Sequence, residues 1–278
     1  MPRWLPIVVF AALASCGPPP APERPRRPDP TIRTLDRLLV KEGTASGDPS
    51  GGELQRCLAR AEQEHACPLP DARRTLALRV ALDARYPARW PGWESRLSRT
   101  LACVNTIYTA TGLQFEVADI VEWSPTDRER NDLYALLDRV QRELPDDRKS
   151  LVVGITVWDD RRVYAGSGGE IGLSQRAACV VPSWPRVEND CIILAHELGH
   201  LVGARHVPGK QWLMGWAARP FHLPAADPIA RVTALYRFHP RNRAAAAMHR
   251  RARFGPHGLR LPRSCRDQLR AIDRCWRL

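Results

Sequence analysis

From Thr75 onward, apolar and polar positions fall into blocks of two periods. Leu76, Leu78, Val80 and Leu82 alternate with Ala77, Arg79 and Ala81, the period of a half-buried strand. Trp93, Leu97, Leu101, Val104 and Tyr108 then recur at helical spacing and predict a helix that ends near Gly112. Phe115, Val117, Val121 and Trp123 alternate again. Next come a helix over 128–144, a strand over 151–158 (LVVGITVW), a Gly-rich stretch with GEIGLSQ at 169–175, and an apolar strand over 178–181. A helix carrying HELGHLVGARH at 196–206 follows. Strands and helices are mixed ahead of one site-bearing helix, which predicts an α+β or α/β class with a small sheet.

Upstream of Thr75 the character differs. Helical patterns over 32–41 and 53–66 are separated by EGTASGDPSGGE at 42–53. Residues 17–31 hold seven prolines and read as an extended tether of about 3 Å per residue. Residues 1–15 have one early Arg, an apolar run and small residues before Cys16. That layout is a secretory signal, too short to span a membrane. Leu13-Ala14-Ser15-Cys16 resembles the lipobox of bacterial lipoproteins. The resemblance implies cleavage before Cys16, lipidation of that residue, and anchoring in the bacterial envelope. Gly17 stands where an Asp would favour inner-membrane retention, so the outer membrane is expected.

Length and a 44% hydrophobic content allow one sizeable core. A formal charge of +12 could suggest nucleic acid as partner, but all except three of the 42 basic residues are Arg, and no nucleic-acid-binding spacing occurs. A solvated basic surface is the expectation, with anionic envelope material as a weaker second. Residues 237–278 are the most basic part, with twelve Arg against two Asp.

The chemistry sits at 196–206. His196 and His200 lie four apart on a helix, so both imidazoles leave one face, as two ligands of one ion must. Glu197 is rotated about 100° from His196 and reaches a water on the ion without ligating it. Peptidases of the thermolysin kind take a later Glu as third ligand, yet no Glu follows Glu197, so His206 is the natural choice. Gly203 stands where the helix must stop and turn for His206 to swing back. His65, His222, His239, His249 and His257 fall outside the pattern and read as surface or packing residues.

The full run His196-Glu197-x-x-His200-x-x-Gly203-x-x-His206 resembles the zinc signature of the metzincin metalloproteases, and WLMGW places Met214 where that family has its Met-turn, at a short spacing similar to the matrixins. The resemblance covers roughly residues 75–237. It implies an α+β fold with a small twisted mixed sheet, an active-site helix, a Met-turn and a C-terminal helical subdomain. It further implies Zn2+ held by His196, His200 and His206, Glu197 as the catalytic base, and a peptide or protein substrate that pairs with an edge strand, for which 169–175 is the segment in place. Three departures stand out. Val207 follows the third His, Trp216 replaces the metal-associated Tyr of astacins and serralysins, and 126–144 looks inserted. The expected organisation is a signal at 1–15, a lipidated Cys and tether at 16–31, a propeptide-like helical segment at 32–74, the catalytic domain at 75–237 and a basic helical tail at 238–278. The competing readings are a non-enzymatic envelope scaffold that keeps a zinc site, which an intact Glu197 argues against, and a basic binding module with an incidental motif.

Lipidation of Cys16 would leave seven cysteines, so at least one thiol has no partner within the chain. Disulfides Cys265–Cys275 and Cys179–Cys191 are expected. Cys67 admits two readings. Cys67-Pro68-Leu69-Pro70-Asp71 resembles the cysteine switch of matrixin propeptides, whose thiolate fills the open zinc position, with Pro68 in place of the Gly. The alternative, placed ahead of it, is a bond between Cys67 and Cys57.

Overall fold

The computed structural model describes residues 50–130, 132–145, 147–157, 172–208, 212–215 and 237–276. The signal, Cys16, the tether and the helix expected over 32–41 lie outside the described residues. Along the chain run α1 (Ser50–Glu64), β1 (Arg74–Asp83), α2 (Tyr86–Arg89), α3 (Trp93–Tyr108), β2 (Leu113–Trp123), α4 (Asp127–Arg130), α5 (Leu133–Glu143), β3 (Ser150–Val157), β4 (Leu173–Gln175), β5 (Ala178–Ser183) and α6 (Val187–Leu201). They are followed by α7 (Pro240–Met248), β6 (Arg253–Gly255), β7 (Gly258–Arg260) and α8 (Arg263–Cys275).

Five strands form one sheet in the order β2-β1-β3-β5-β4. β1 pairs parallel with β2 and β3, and β3 pairs parallel with β5. Only the short rim strand β4 runs antiparallel to its neighbour β5. This is an α+β fold with a small mixed sheet, as the sequence predicts.

The alternation in β1 predicts one buried face, and the structure buries both at its C-terminal half. Leu76, Leu78, Val80 and Leu82 join the main core with Val104 and Tyr108 of α3 and Ile192, Leu194 and Leu198 of α6. Ala81 faces the other way, into a second cluster with Leu133, Leu136, Leu137 and Val140 of α5. Those four positions follow the helical period, so α5 lays one apolar stripe on the sheet. The insertion at 126–144 thus covers the second face of the sheet. The single helix expected there is two, because Asp132 accepts from the backbone N–H groups of Tyr134 and Ala135 and starts α5 afresh. The buried carboxylate of Asp83 at the end of β1 ties the insertion down, accepting from Arg130 Nε at 2.8 Å and Thr156 Oγ1 at 3.0 Å.

The cysteines pair differently from every expectation. Cys265 and Cys275 both lie in or at the end of α8, where ten residues rise about 15 Å, far beyond the roughly 7 Å that Cα atoms of a disulfide tolerate. The same geometry separates Cys57, inside α1, from Cys67 beyond its end. Instead the bonds are Cys57–Cys275 and Cys67–Cys265. Partner order runs in opposite senses along the two segments, so α1 and α8 lie antiparallel, with Leu58, Ala61, Ala271 and Ile272 in the small core between them. Cys67 is therefore a disulfide sulfur in this structure, and no thiolate of Cys67 is available as a zinc switch. Its backbone N–H donates to Gln268 Oε1 at 2.8 Å. Cys191 bonds to Cys103 of α3, not to Cys179, because α3 and α6 pack side by side. The thiol of Cys179 stays free and buried. The 238–278 region also holds the β6–β7 hairpin between its helices, an element the sequence reading lacks.

Candidate metal centre

α6 is buried along almost its whole length, enclosed by the sheet, α3 and the 212–215 turn. Its first turn is fixed by a buried ion pair. Arg96 donates to Asp190 Oδ2 through Nε at 3.0 Å, and Asp190 Oδ1 accepts from the Trp184 N–H at 2.7 Å. Nearer the site, the buried Tyr108 hydroxyl donates to the Ala195 carbonyl at 2.8 Å. Nothing in the sequence pattern separates that role of Tyr108 from its place on the core face of α3.

The helix ends where the motif requires it. Gly203 has φ +77°, the left-handed region, and a Cβ there would stand 2.6 Å from His249 Cε1. The turn brings His206 back, so that the ligand-capable atoms of His196, His200 and His206 all lie within 4.8 Å of one another. His196 Nε2 and His206 Nε2 are 3.1 Å apart. His196 Nδ1 lies 2.7 Å from the Leu213 carbonyl and His200 Nδ1 lies 3.2 Å from the Ala204 carbonyl. A carbonyl only accepts, so each Nδ1 carries the proton and each Nε2 lone pair is left for the centre of the cluster.

These rings are neutral at neutral pH. Burial pushes His196 and His200 down to about 4, with mutual repulsion between the rings adding to it, and burial also lowers His206. Neutral imidazoles are the form that ligates a metal. The donor set fits a tetrahedral ion, whose nitrogen ligands at about 2.0–2.1 Å stand roughly 3.3 Å from one another.

Glu197, the residue after His196 on α6, is 4% exposed and lies under the start of β4. A Cβ on Gly172 would come within 2.6 Å of Glu197 Oε1, so only glycine lets the rim strand pass this close to the carboxylate. Of the expected rim segment 169–175, residues 173–175 form β4 and 169–171 lie outside the described residues. Met214 is fully buried, its sulfur against Gly199 of α6, and its carbonyl accepts from the Val207 N–H at 2.9 Å. Trp216 lies outside the described residues.

A second buried imidazole bears on stability. Burial pushes His249 down to about 4, with its Ala245 hydrogen bond opposing and the charges of Arg74 and Arg241 reinforcing the shift. The unfolded chain protonates this ring near pH 6.5 and the folded chain only near 4, so its contribution, on the order of 3 kcal/mol, is complete above pH 6.5 and lost as pH falls towards 4. Asp190 acts in the opposite sense, since burial holds its carboxyl up to about 6 and proton uptake there favours the fold. Comparison with His249→Asn isolates the histidine. Urea midpoints at pH 7.5 and pH 5 are expected to fall less in the variant, and equal falls would refute the assignment.

Two imidazoles on a buried helix, a third returned by a glycine turn and a buried methionine against the helix make up a metzincin-like site. The comparisons agree: residues 72–215, just over half of the chain, match the family model Reprolysin_5, described as metallo-peptidase family M12. The chain belongs to that family. No curated protein sequence matches it. Among solved structures, the crystal structure of metalloproteinase-II from Bacteroides fragilis is similar at 18% identity and a TM-score of 0.38, over 65% of this chain and 61% of that one. A chaperone-substrate complex is similar at 12% identity and a TM-score of 0.33, over 50% of this chain and 27% of that one. Both likenesses are too distant to add to what the family match establishes, and this chain spans less than two thirds of either protein.

Proposed function

We propose that the protein is a zinc-dependent endopeptidase with His196, His200 and His206 as ligands and Glu197 as its catalytic base. The observation that carries this reading is the convergence of three neutral imidazoles, each presenting Nε2, beside a buried carboxylate. Three nitrogen ligands leave a tetrahedral position open, the mark of a catalytic rather than a closed structural zinc site. Zinc held by these residues would supply Lewis acidity, polarising a peptide carbonyl and lowering the pKa of water towards about 7. Glu197 takes the proton of the attacking water and delivers it to the leaving amine. The rim strand β4, entering at Gly172 above Glu197, offers backbone groups to an extended chain, which supports cleavage within a polypeptide. Residues 1–31, with their signal-like start, Cys16 and the proline-rich tether, support a lipid anchor in the bacterial envelope and a substrate met at that surface.

Purified protein is expected to carry about one zinc per chain and to cleave casein and peptide libraries. Chelation should stop cleavage and zinc should restore it. His206→Ala is expected to lose the metal; equal zinc in that variant would sink the ligand assignment.

A further inference from the structure

His206 is the weak point of the ligand set, because its ring is exposed while His196 is buried. Packing therefore does little to aim it, and the backbone on either side must. On one side the Val207 N–H donates to the Met214 carbonyl. On the other, Arg205 is held by a residue from a distant part of the chain. Asn242, fully buried in the first turn of α7, accepts from the Arg205 N–H at 3.0 Å and donates through Nδ2 to the Arg205 carbonyl at 2.8 Å. One carboxamide thus pairs with both polar groups of one residue, as a neighbouring strand would. Asn242 is itself fixed by Arg241, whose NH1 donates to Asn242 Oδ1 at 3.0 Å and to the Gly203 carbonyl at 2.9 Å. Arg241 Nε in turn donates to Asp273 Oδ1 of α8 at 2.7 Å, and Asp273 Oδ2 lies 3.4 Å from the Arg205 guanidinium. Residues 202–205 are the whole path from the end of the active-site helix to His206, and α7 holds that path at Gly203 and at Arg205, with Asp273 of α8 behind it.

We propose that Asn242 is a positioning residue for the third imidazole, locked by the Arg241–Asp273 pair, so that the disulfide-stapled unit of α1, α7 and α8 sets the metal affinity of the catalytic centre. The proposal rests on the reading of the three histidines as zinc ligands. Without the clamp, His206 must be ordered at the moment of metal binding, and the affinity falls by the cost of that ordering. Partners that orient metal ligands typically contribute about 10–100-fold in affinity.

The test is zinc affinity of the full chain at pH 7.5 by chelator competition, at a temperature where the metal-free protein is folded by circular dichroism. Asn242→Ala is expected to bind zinc about 10–100-fold more weakly. Asn242→Asp, which keeps the acceptor for the Arg205 N–H and loses the donor to its carbonyl, should fall between that variant and wild type. Asp273→Asn leaves both Asn242 bonds in place and removes the anchor behind Arg241. It is expected to weaken zinc several-fold and serves if Asn242→Ala does not fold. A merely structural role would lower the melting temperature and leave the affinity of the folded protein alone. Folded Asn242→Ala, or folded Asp273→Asn where the former fails to fold, binding zinc within about twofold of wild type overturns the proposal. If only His206→Ala loses zinc, the clamp falls and the zinc site stands. If wild type itself holds no zinc, both fall.

Discussion

Glu197→Gln is expected to remove peptide cleavage and leave the metal in place. The amide has the shape of the carboxylate, so it preserves the close approach of Gly172, where a Cβ would already stand 2.6 Å from Glu197 Oε1. It cannot accept a proton from water or return one to an amine. General acid–base catalysis by one positioned group contributes about 10²–10⁴-fold, and the fall in kcat/KM should lie in that range with zinc content unchanged. A Gln variant within tenfold of wild type on a peptide substrate would show that the base is another group. A variant that loses both zinc and activity would instead assign Glu197 to holding the site together.

Removing both disulfides between α1 and α8 is expected to prevent folding, whereas removing either alone should not. Cys57–Cys275 and Cys67–Cys265 close loops of 218 and 198 residues, one nested in the other. By chain entropy, one crosslink of that span stabilises by about 5 kcal/mol. With one in place, the second closes only the short remaining loop of some twenty residues, a further contribution of about 3 kcal/mol. Cys67→Ser or Cys57→Ser alone should therefore lower unfolding free energy by about 3 kcal/mol. The double variant should lose about 8 kcal/mol, within the 5–15 kcal/mol that holds a typical domain together. The core behind these bonds is small, built from residues such as Leu58, Ala61, Ala244, Met248 and Ile272, and separate from the main one. Denaturant melts of the two single variants and the double variant measure this directly. Effects that simply add would contradict the nested arrangement.

The same pair of bonds bears on the N-terminal segment. A propeptide held by α1 would have to leave on activation, but residues 57 and 67 are covalently joined to 275 and 265. Cutting the chain between Cys67 and β1 would leave α1 attached.

What was legible in the sequence was local in its physics. The strand and helix periods from Leu76 to Leu198 depend only on which face of each element meets the core, and they survive in the fold. His196, Glu197 and His200 are legible because the helix itself fixes their relative directions. His206 and Gly203 follow because six residues after His200 must contain both the turn and the return, and φ +77° at Gly203 is that turn. Cysteine pairing is a different kind of quantity, since a disulfide reports which helices lie side by side. Sequence distance favoured Cys57 with Cys67 and Cys265 with Cys275, and the rise of a helix forbids those pairs. The one available signal was the equal spacing of ten residues in both pairs, which fits a ladder between two antiparallel segments. The second buried face of β1 was hidden for a related reason, because Ala81 reads as neutral until α5 lies on it. Asn242 carried no signal at all. It lies 37 residues beyond Arg205 in the chain and meets it only through the packing of α7 against the site. The ligand set is thus written in the chain, while the rigidity with which its last member is held belongs to the tertiary structure, because hydrogen bonds between distant segments exist only once both have been placed.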